Sequence, residues 1–250
     1  MATTLTQTEK FTKPVAVLPG RRYDHVFFSI SALLMLLVAF LGFARTYYLA
    51  GLFNASLPSL TIHLHGAAFS AWVLLLVAQT SLVFSGRTDI HRRLGLAGFL
   101  LACLMIVLGV MAATDALRRA STAGVGRDPR AFYIVPLTDM LVFSVFILFA
   151  YRLRRDAPSH KRIIYIATTG LLVAAVARLP LTFSFRNSGH AAILTDVFLL
   201  ALASYDAWST RRIHRVTLWA SVLLIFVQQV RIPMGGTAVW RAFATWVQGA

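Results

Sequence analysis

A chain of 250 residues that is 58% hydrophobic and only 13% charged, with a mean hydropathy of +0.72, is too apolar for a water-soluble domain of its length. Its formal charge of +15 would suggest nucleic acid in a soluble protein. Here the basic residues flank apolar runs, where they meet anionic lipid headgroups, so nucleic-acid binding is excluded and the lipid bilayer is the expected partner.

A membrane span needs about 20 mostly apolar residues, because hydrocarbon offers nothing to backbone amides and each helix must satisfy its own. Seven runs meet that need, near 26–50, 61–84, 91–117, 131–152, 161–184, 191–208 and 214–232. The expected fold is an all-α, polytopic seven-transmembrane-helix bundle, with a tail over 1–25 and a single membrane domain over 26–250. The amino-terminal tail carries no cleavable-signal pattern. Its apolar stretch, Val15 to Leu18, is short and bounded by Pro14 and Pro19, so the first span reads as an uncleaved signal anchor.

Arg45 lies late in the first span. The chain then turns through Ser56-Leu57-Pro58-Ser59, with Thr61 as the expected cap of the second span, which opens Ile62-His63-Leu64-His65-Gly66. His63 and His65 point about 200° apart on a regular helix, so they serve one centre together only if the segment opens. The third span starts at His91-Arg92-Arg93, contains Cys103, the only cysteine, and ends near Asp115. One cysteine excludes disulfides and thiolate clusters within the chain, so any metal must use His, Asp or Met; Met111 and Met140 are soft candidates.

Asp139 lies about two turns into the fourth span, beyond Pro136. Arg178 lies in the outer half of the fifth, before Pro180, and Asp196 about one turn into the sixth. A lone charge near the bilayer centre costs about 2.5 to 3.5 kcal/mol on insertion scales, so Asp139 or Asp196 is expected to pair with Arg178, with Arg45 and Asp115 extending the network. His63, His65 and His190 fall at the same level. Together with Asp139 and Asp196 they form the candidate metal or haem ligands of the outer half. Asp206, Gln79 and the late seventh-span run Gln228-Gln229-Val230-Arg231 read as interhelical glue.

The four spans that climb from one side open with histidine beside arginine or lysine, at His25, His91, His160 and His214. The plain reading is anchorage to lipid phosphates; the sharper one has His91, His160 and His214 converging on haem or metal, with arginines holding propionates. Basic residues also set orientation. Lys10, Lys13, Arg21, Arg22, Arg87, Arg92, Arg93, Arg152, Arg154, Arg155, Lys161, Arg162, Arg211, Arg212 and Arg215, fifteen of the twenty-four, fall on one side. The amino terminus is therefore expected in the cytoplasm and the carboxy terminus outside.

Several chemistries fail by absence. The only lysines are Lys10, Lys13 and Lys161, so no Schiff-base lysine for retinal lies in the last span, and that span lacks the paired histidines of ceramidase-like zinc hydrolases. No phosphate loop, His-Glu-x-x-His or Gly-x-Ser-x-Gly motif occurs.

The stretch 62–117, with His63-x-His65-Gly66, Ala71-Trp72, Gln79-Thr80, Gly86-Arg87 and Asp89-Ile90-His91-Arg92-Arg93-Leu94-Gly95, resembles uncharacterised bacterial multi-pass membrane proteins. It is also loosely similar to a family that includes helpers of haem-copper oxidase assembly. The resemblance covers about a quarter of the chain and implies a bacterial plasma membrane, with His63, His65 and His91 among the polar residues that matter. Seven spans depart from those helpers, which have fewer. Three function classes follow: a metal- or haem-binding protein in respiratory redox chemistry or its assembly; a carrier or receptor for a small anion or amphiphile, with Arg178 and Arg45 as charge partners; and a structural or partner-binding membrane protein.

Overall fold

The computed structural model describes residues 23–55, 59–119, 128–179 and 188–249. Among these all regular structure is helical, in the order α1 (Asp24–Phe43), α2 (Leu60–Phe84), α3 (Thr88–Arg118), α4 (Pro129–Phe132), α5 (Ile134–Arg152), α6 (Ala157–Val176), α7 (Ser188–Thr195), α8 (Val197–Thr210), α9 (Arg215–Gly235) and α10 (Ala238–Gly249). A π-helical turn, Ala44–Tyr48, and a 3-10 turn, Ala50–Phe53, extend α1. Six helical stretches are long and apolar enough to cross a membrane: Asp24–Tyr48, Leu60–Phe84, Thr88–Arg118, Pro129–Arg152, His190–Thr210 and Arg215–Gly235. They match six of the seven expected spans.

The expected span 161–184 corresponds to α6, which ends at Val176 and is not among those six. Its position explains its composition. α6 packs against α1, α5, α7, α8 and α9, and Ile163, Tyr165, Ile166, Thr168, Thr169, Leu172 and Val173, pointing in several directions around it, are all buried. A helix walled by protein needs no lipid-facing stripe, so threonine and tyrosine can replace leucine. α1 comes close through Gly42, where a Cβ would collide with the backbone of Ala175.

The surrounding helices are built the other way round. α1 presents Leu33, Leu37 and Leu41 outward, α3 presents Leu100 and Leu104, and α9 presents Leu218 and Val222, all exposed. Inside lie Met35, Met105, Phe143, Phe146, Ile163, Ile166 and Leu202, each 2% exposed or less. An apolar outside around a core that also contains threonine and ion pairs is the pattern expected of a bundle dissolved in lipid.

Local chemistry sets the helix ends. Ser59, not the expected Thr61, caps α2: its hydroxyl accepts from the Ile62 amide at 3.5 Å, which makes Thr61 the second residue of the helix. Pro136 does not kink a long fourth helix. The helix breaks at Tyr133 between α4 and α5, leaving Pro136 in the first turn of α5, where its missing amide proton costs little. Pro180, the turn 56–58 and the loop 120–127 lie outside the described residues.

The chain after 232, beyond the last expected span, is helical as well. α9 continues to Gly235 and α10 follows after Gly236 and Thr237. α10 packs on α3, α4 and α9 through the fully buried Ala244, with Trp240 and Val247 against Leu117 and Tyr133. Below, the near end of the bundle is where α1, α3, α6 and α9 begin, and the far end is where they finish.

A candidate binding site of buried polar side chains

Polar side chains enter this bundle in two layers. The near layer joins the starts of α1, α6 and α9 to the end of α8. Arg162 and Asp206 are 3% and 0% exposed. Their guanidinium and carboxylate meet through Nη2–Oδ1 at 2.5 Å and through Nε to Oδ1 at 2.9 Å and Oδ2 at 3.2 Å. Thr217 Oγ1 and the His214 backbone N donate to Asp206 Oδ2 at 2.5 and 3.1 Å, and Arg162 Nη1 donates to the Pro158 carbonyl at 2.7 Å. Beside it Asp24 accepts from Lys161 at 2.5 Å and from the Tyr205 hydroxyl at 2.8 Å. Lys161 and Arg162, expected as headgroup anchors, thus turn into the protein. Each charge in this layer meets an opposite charge or a donor, which describes a lock rather than a vacancy.

Three of the near-end histidines, His91, His160 and His214, each find a local partner. The Gln79 amide donates to His91 Nδ1 at 2.6 Å and accepts from the Gly95 amide at 3.1 Å. His160 Nδ1 lies 2.9 Å from the Ala150 carbonyl, and His214 Nδ1 accepts from the Val216 amide at 3.2 Å, capping α9. Burial and the Arg162 guanidinium hold His214 below the ordinary imidazole range, against the pull of Asp206 and Asp156. Among the described residues no three His, Cys, Asp or Glu side chains gather as a metal would need. The described geometry therefore brings no convergence of His91, His160 and His214.

The far layer differs. Asp139 of α5 pairs with Arg231 of α9, which is 2% exposed. Arg178, the expected partner, sits just past α6 on the surface, with its guanidinium 4.8 Å over the Phe43 ring and Nη1 donating to the Ala174 carbonyl at 2.6 Å. The pairing expected for Asp139 is therefore corrected: α5 and α9 are packed neighbours, so Arg231 reaches the carboxylate first. Arg231 Nη1 also lies 3.4 Å from both Thr138 Oγ1 and the Val135 carbonyl.

Around this pair several polar atoms have no partner among the described residues. Arg231 Nε is enclosed and unbonded. One turn nearer the bundle centre, Gln228 is 2% exposed, and neither its amide nitrogen nor its amide oxygen has a hydrogen bond. Gln228 and Arg231 continue the buried stripe Thr217, Ala220, Leu224 on α9, at steps of three and four residues. Next to Asp139 a small cavity opens between Phe143, Gly170 and Leu224, with about 10 Å³ open to the centre of a water-sized sphere. That is room for about one water molecule.

The other expected far-end residues lie away from this pair, although His65 and Arg178 are within electrostatic reach of each other. His63 is exposed, with its carbonyl accepting from the Tyr47 hydroxyl at 3.1 Å. His65 turns the other way and lies against Phe69, ring centroids 4.2 Å apart, with Nδ1 enclosed and unbonded. Asp196 sits at the break between α7 and α8 with Oδ1 enclosed and unbonded, and His190 is exposed two residues into α7. Arg45 is exposed over Phe53 at 5.1 Å, and Asp115 pairs with Arg119 at 2.8 Å while accepting from Ser59 at 3.3 Å. Met140 packs against Gly109, and Met111 faces outward.

Arg231 and Gln228 were visible in the sequence as polar residues late in the last run, but not as a site. The signal was the three-residue step between them, which puts both on the face that already carries Leu224. In comparison with known proteins, no family model, no curated protein and no solved structure matches the chain. The all-helical, multi-pass membrane architecture is the class that the geometry defines.

Proposed function

We propose that this is a seven-span membrane protein, α6 being the central span, that binds a small anion in the far half of the bundle as a carrier or receptor. The supporting observation is the Gln228 amide, wholly buried with both ends unbonded among the described residues, one turn from the likewise unbonded Nε of Arg231. An enclosed polar group without a partner costs about 1–3 kcal/mol, so the site is arranged for something not part of the chain. Gln228 Nε2 and Arg231 Nε are both donors, one turn apart on the same buried face of one helix. That favours an acceptor such as a carboxylate oxygen. A metal cation is disfavoured there by the Arg231 charge, with Asp139 already engaged as its counter-ion. The water-sized cavity beside Asp139 is lined by Phe143, Gly170 and Leu224 and not by Gln228 or Arg231, so an anion that reaches both donors requires α5 and α9 to part.

The test is the melting temperature of the full chain in mild detergent with formate, acetate, benzoate or phosphate against chloride at equal ionic strength. The expected result is a saturable rise with at least one of these oxyanions. Gln228→Leu should abolish that rise while leaving the unliganded melting temperature equal or higher, since it replaces an orphaned amide with an apolar side chain of similar size. No rise with any oxyanion, or an undiminished rise in Gln228→Leu, overturns the reading. A haem spectrum or stoichiometric metal in the same preparation would put the cofactor function in its place.

A further inference from the structure

α10 is held against the bundle by more than packing. Arg118 Nε donates to the Val247 carbonyl at 3.4 Å, Gln248 Nε2 to the Leu117 carbonyl at 3.1 Å, Arg130 Nε to Gln248 Oε1 at 2.9 Å and Trp240 Nε1 to the Arg130 carbonyl at 2.9 Å. Arg241 pairs with Asp128 at 2.5 Å. Its rotation about its own axis is therefore set, and each face has a defined direction.

At about 100° per residue, those faces fall into three sectors. Trp240, Ala244 and Val247 point at the bundle. Val239, Phe243 and Trp246 form a second stripe, 83%, 42% and 68% exposed, centred about a quarter-turn or slightly more from the first. Arg241 and Thr245 lie on the third side, also exposed. A helix wholly in water would not turn such a stripe outward, and one buried between spans would not carry the third side.

We infer that α10 lies in the membrane interface, with Val239, Phe243 and Trp246 entering the acyl boundary of the bilayer and Arg241 and Thr245 facing the aqueous side. The occupant of the apolar stripe is lipid, for three reasons. The helix starts two residues after α9, at the level where a span leaves the hydrocarbon. The last turn of α9 is lipid-like in its exposure, with Ile232 and Met234 open, so the stripe continues an apolar surface already facing outward. Tryptophan and phenylalanine flanked by the exposed Arg118, Arg119 and Arg241, each bonded within the protein but with further N–H groups left over, give the mixture that suits the headgroup layer. This inference rests on the bilayer and not on the anion site.

The test uses the full chain with Cys103→Ala in vesicles of phosphatidylethanolamine and phosphatidylglycerol, with single cysteines at 239, 241, 243, 245 and 246 carrying spin labels. Each labelled protein is first required to keep the parent melting temperature. Labels at 239, 243 and 246 are expected to collide preferentially with oxygen, and those at 241 and 245 with a water-soluble nickel chelate, giving a helical period. Shielding of the first three from both reagents would mean that a protein, or a second copy of the chain, covers the stripe. Equal access at all five would mean that α10 stands in water. Either outcome overturns the inference.

Discussion

Arg162 and Asp206 show what a charge inside this bundle requires. The carboxylate accepts from a guanidinium, a threonine hydroxyl and a backbone amide, so removing any one partner leaves the others buried and short of a bond. Asp206→Asn keeps the shape and the hydroxyl contact but strands the Arg162 charge, and should destabilise the protein by about 3–5 kcal/mol. Arg162→Met added to Asp206→Asn should restore most of that loss, because the stranded charge is then gone. Denaturant or thermal unfolding in detergent measures both; a double variant no better than the single one would show that the pair is not the unit of stability. Read from the sequence, Arg162 belonged to a basic cluster at a span edge, and nothing in that cluster distinguished the residue that turns inward from those that face lipid phosphate. Asp139 was legible as a residue in need of a partner. Which arginine supplied it was not, since Arg178 and Arg231 are both compatible in depth and only helix adjacency chooses between them.

On the scale of the helix, α9 carries the information best. Thr217, Ala220, Leu224, Gln228 and Arg231 recur at helical spacing and share one buried face, running from the Asp206 lock to the Asp139 pair. That periodicity is written in the chain, although a polar stripe looks the same whether it meets a ligand or another helix. The start of α9 supplies a pH prediction. His214 caps it through Nδ1, which accepts a hydrogen bond only when unprotonated, and burial with Arg162 lowers its folded pKa below the unfolded value of about 6.5. Protonation therefore favours the unfolded chain. The contribution of His214 is whole above about pH 6.5 and is lost as pH falls from there through the lower folded value. His214→Asn, which caps without titrating, should lose less melting temperature than the parent between about pH 7.5 and about pH 5. Parallel pH profiles for the two proteins would show that the cap does not titrate. At the other end, α10 is not legible as a span because its 12 residues are too few to cross hydrocarbon.

For the whole molecule, the number of spans decides where the ends lie. If α6 crosses as a seventh span the termini fall on opposite sides, and the basic bias then predicts a cytoplasmic amino terminus. Alkaline phosphatase fused after Ala250 should be active and green fluorescent protein at the same point dark. The reverse result would mean an even number of crossings or an inverted bundle. The sequence by itself determined the class of solvent: apolar runs of span length, interrupted by turns and edged with arginine, have no stable solution in water, because their backbone and side-chain demands are met only as helices in lipid. It also called for partners to the intramembrane acids, since hydrocarbon penalises a bare charge; Asp139 and Asp206 find arginines, while Asp196 has no ion pair among the described residues. Tertiary structure alone decided which partners they take, that α6 is the helix surrounded by the others, and that Gln228 is left with nothing to bond. Those outcomes depend on which helix faces touch, and contact between faces far apart in the chain is fixed by packing the bundle as a whole, not by any local run of residues.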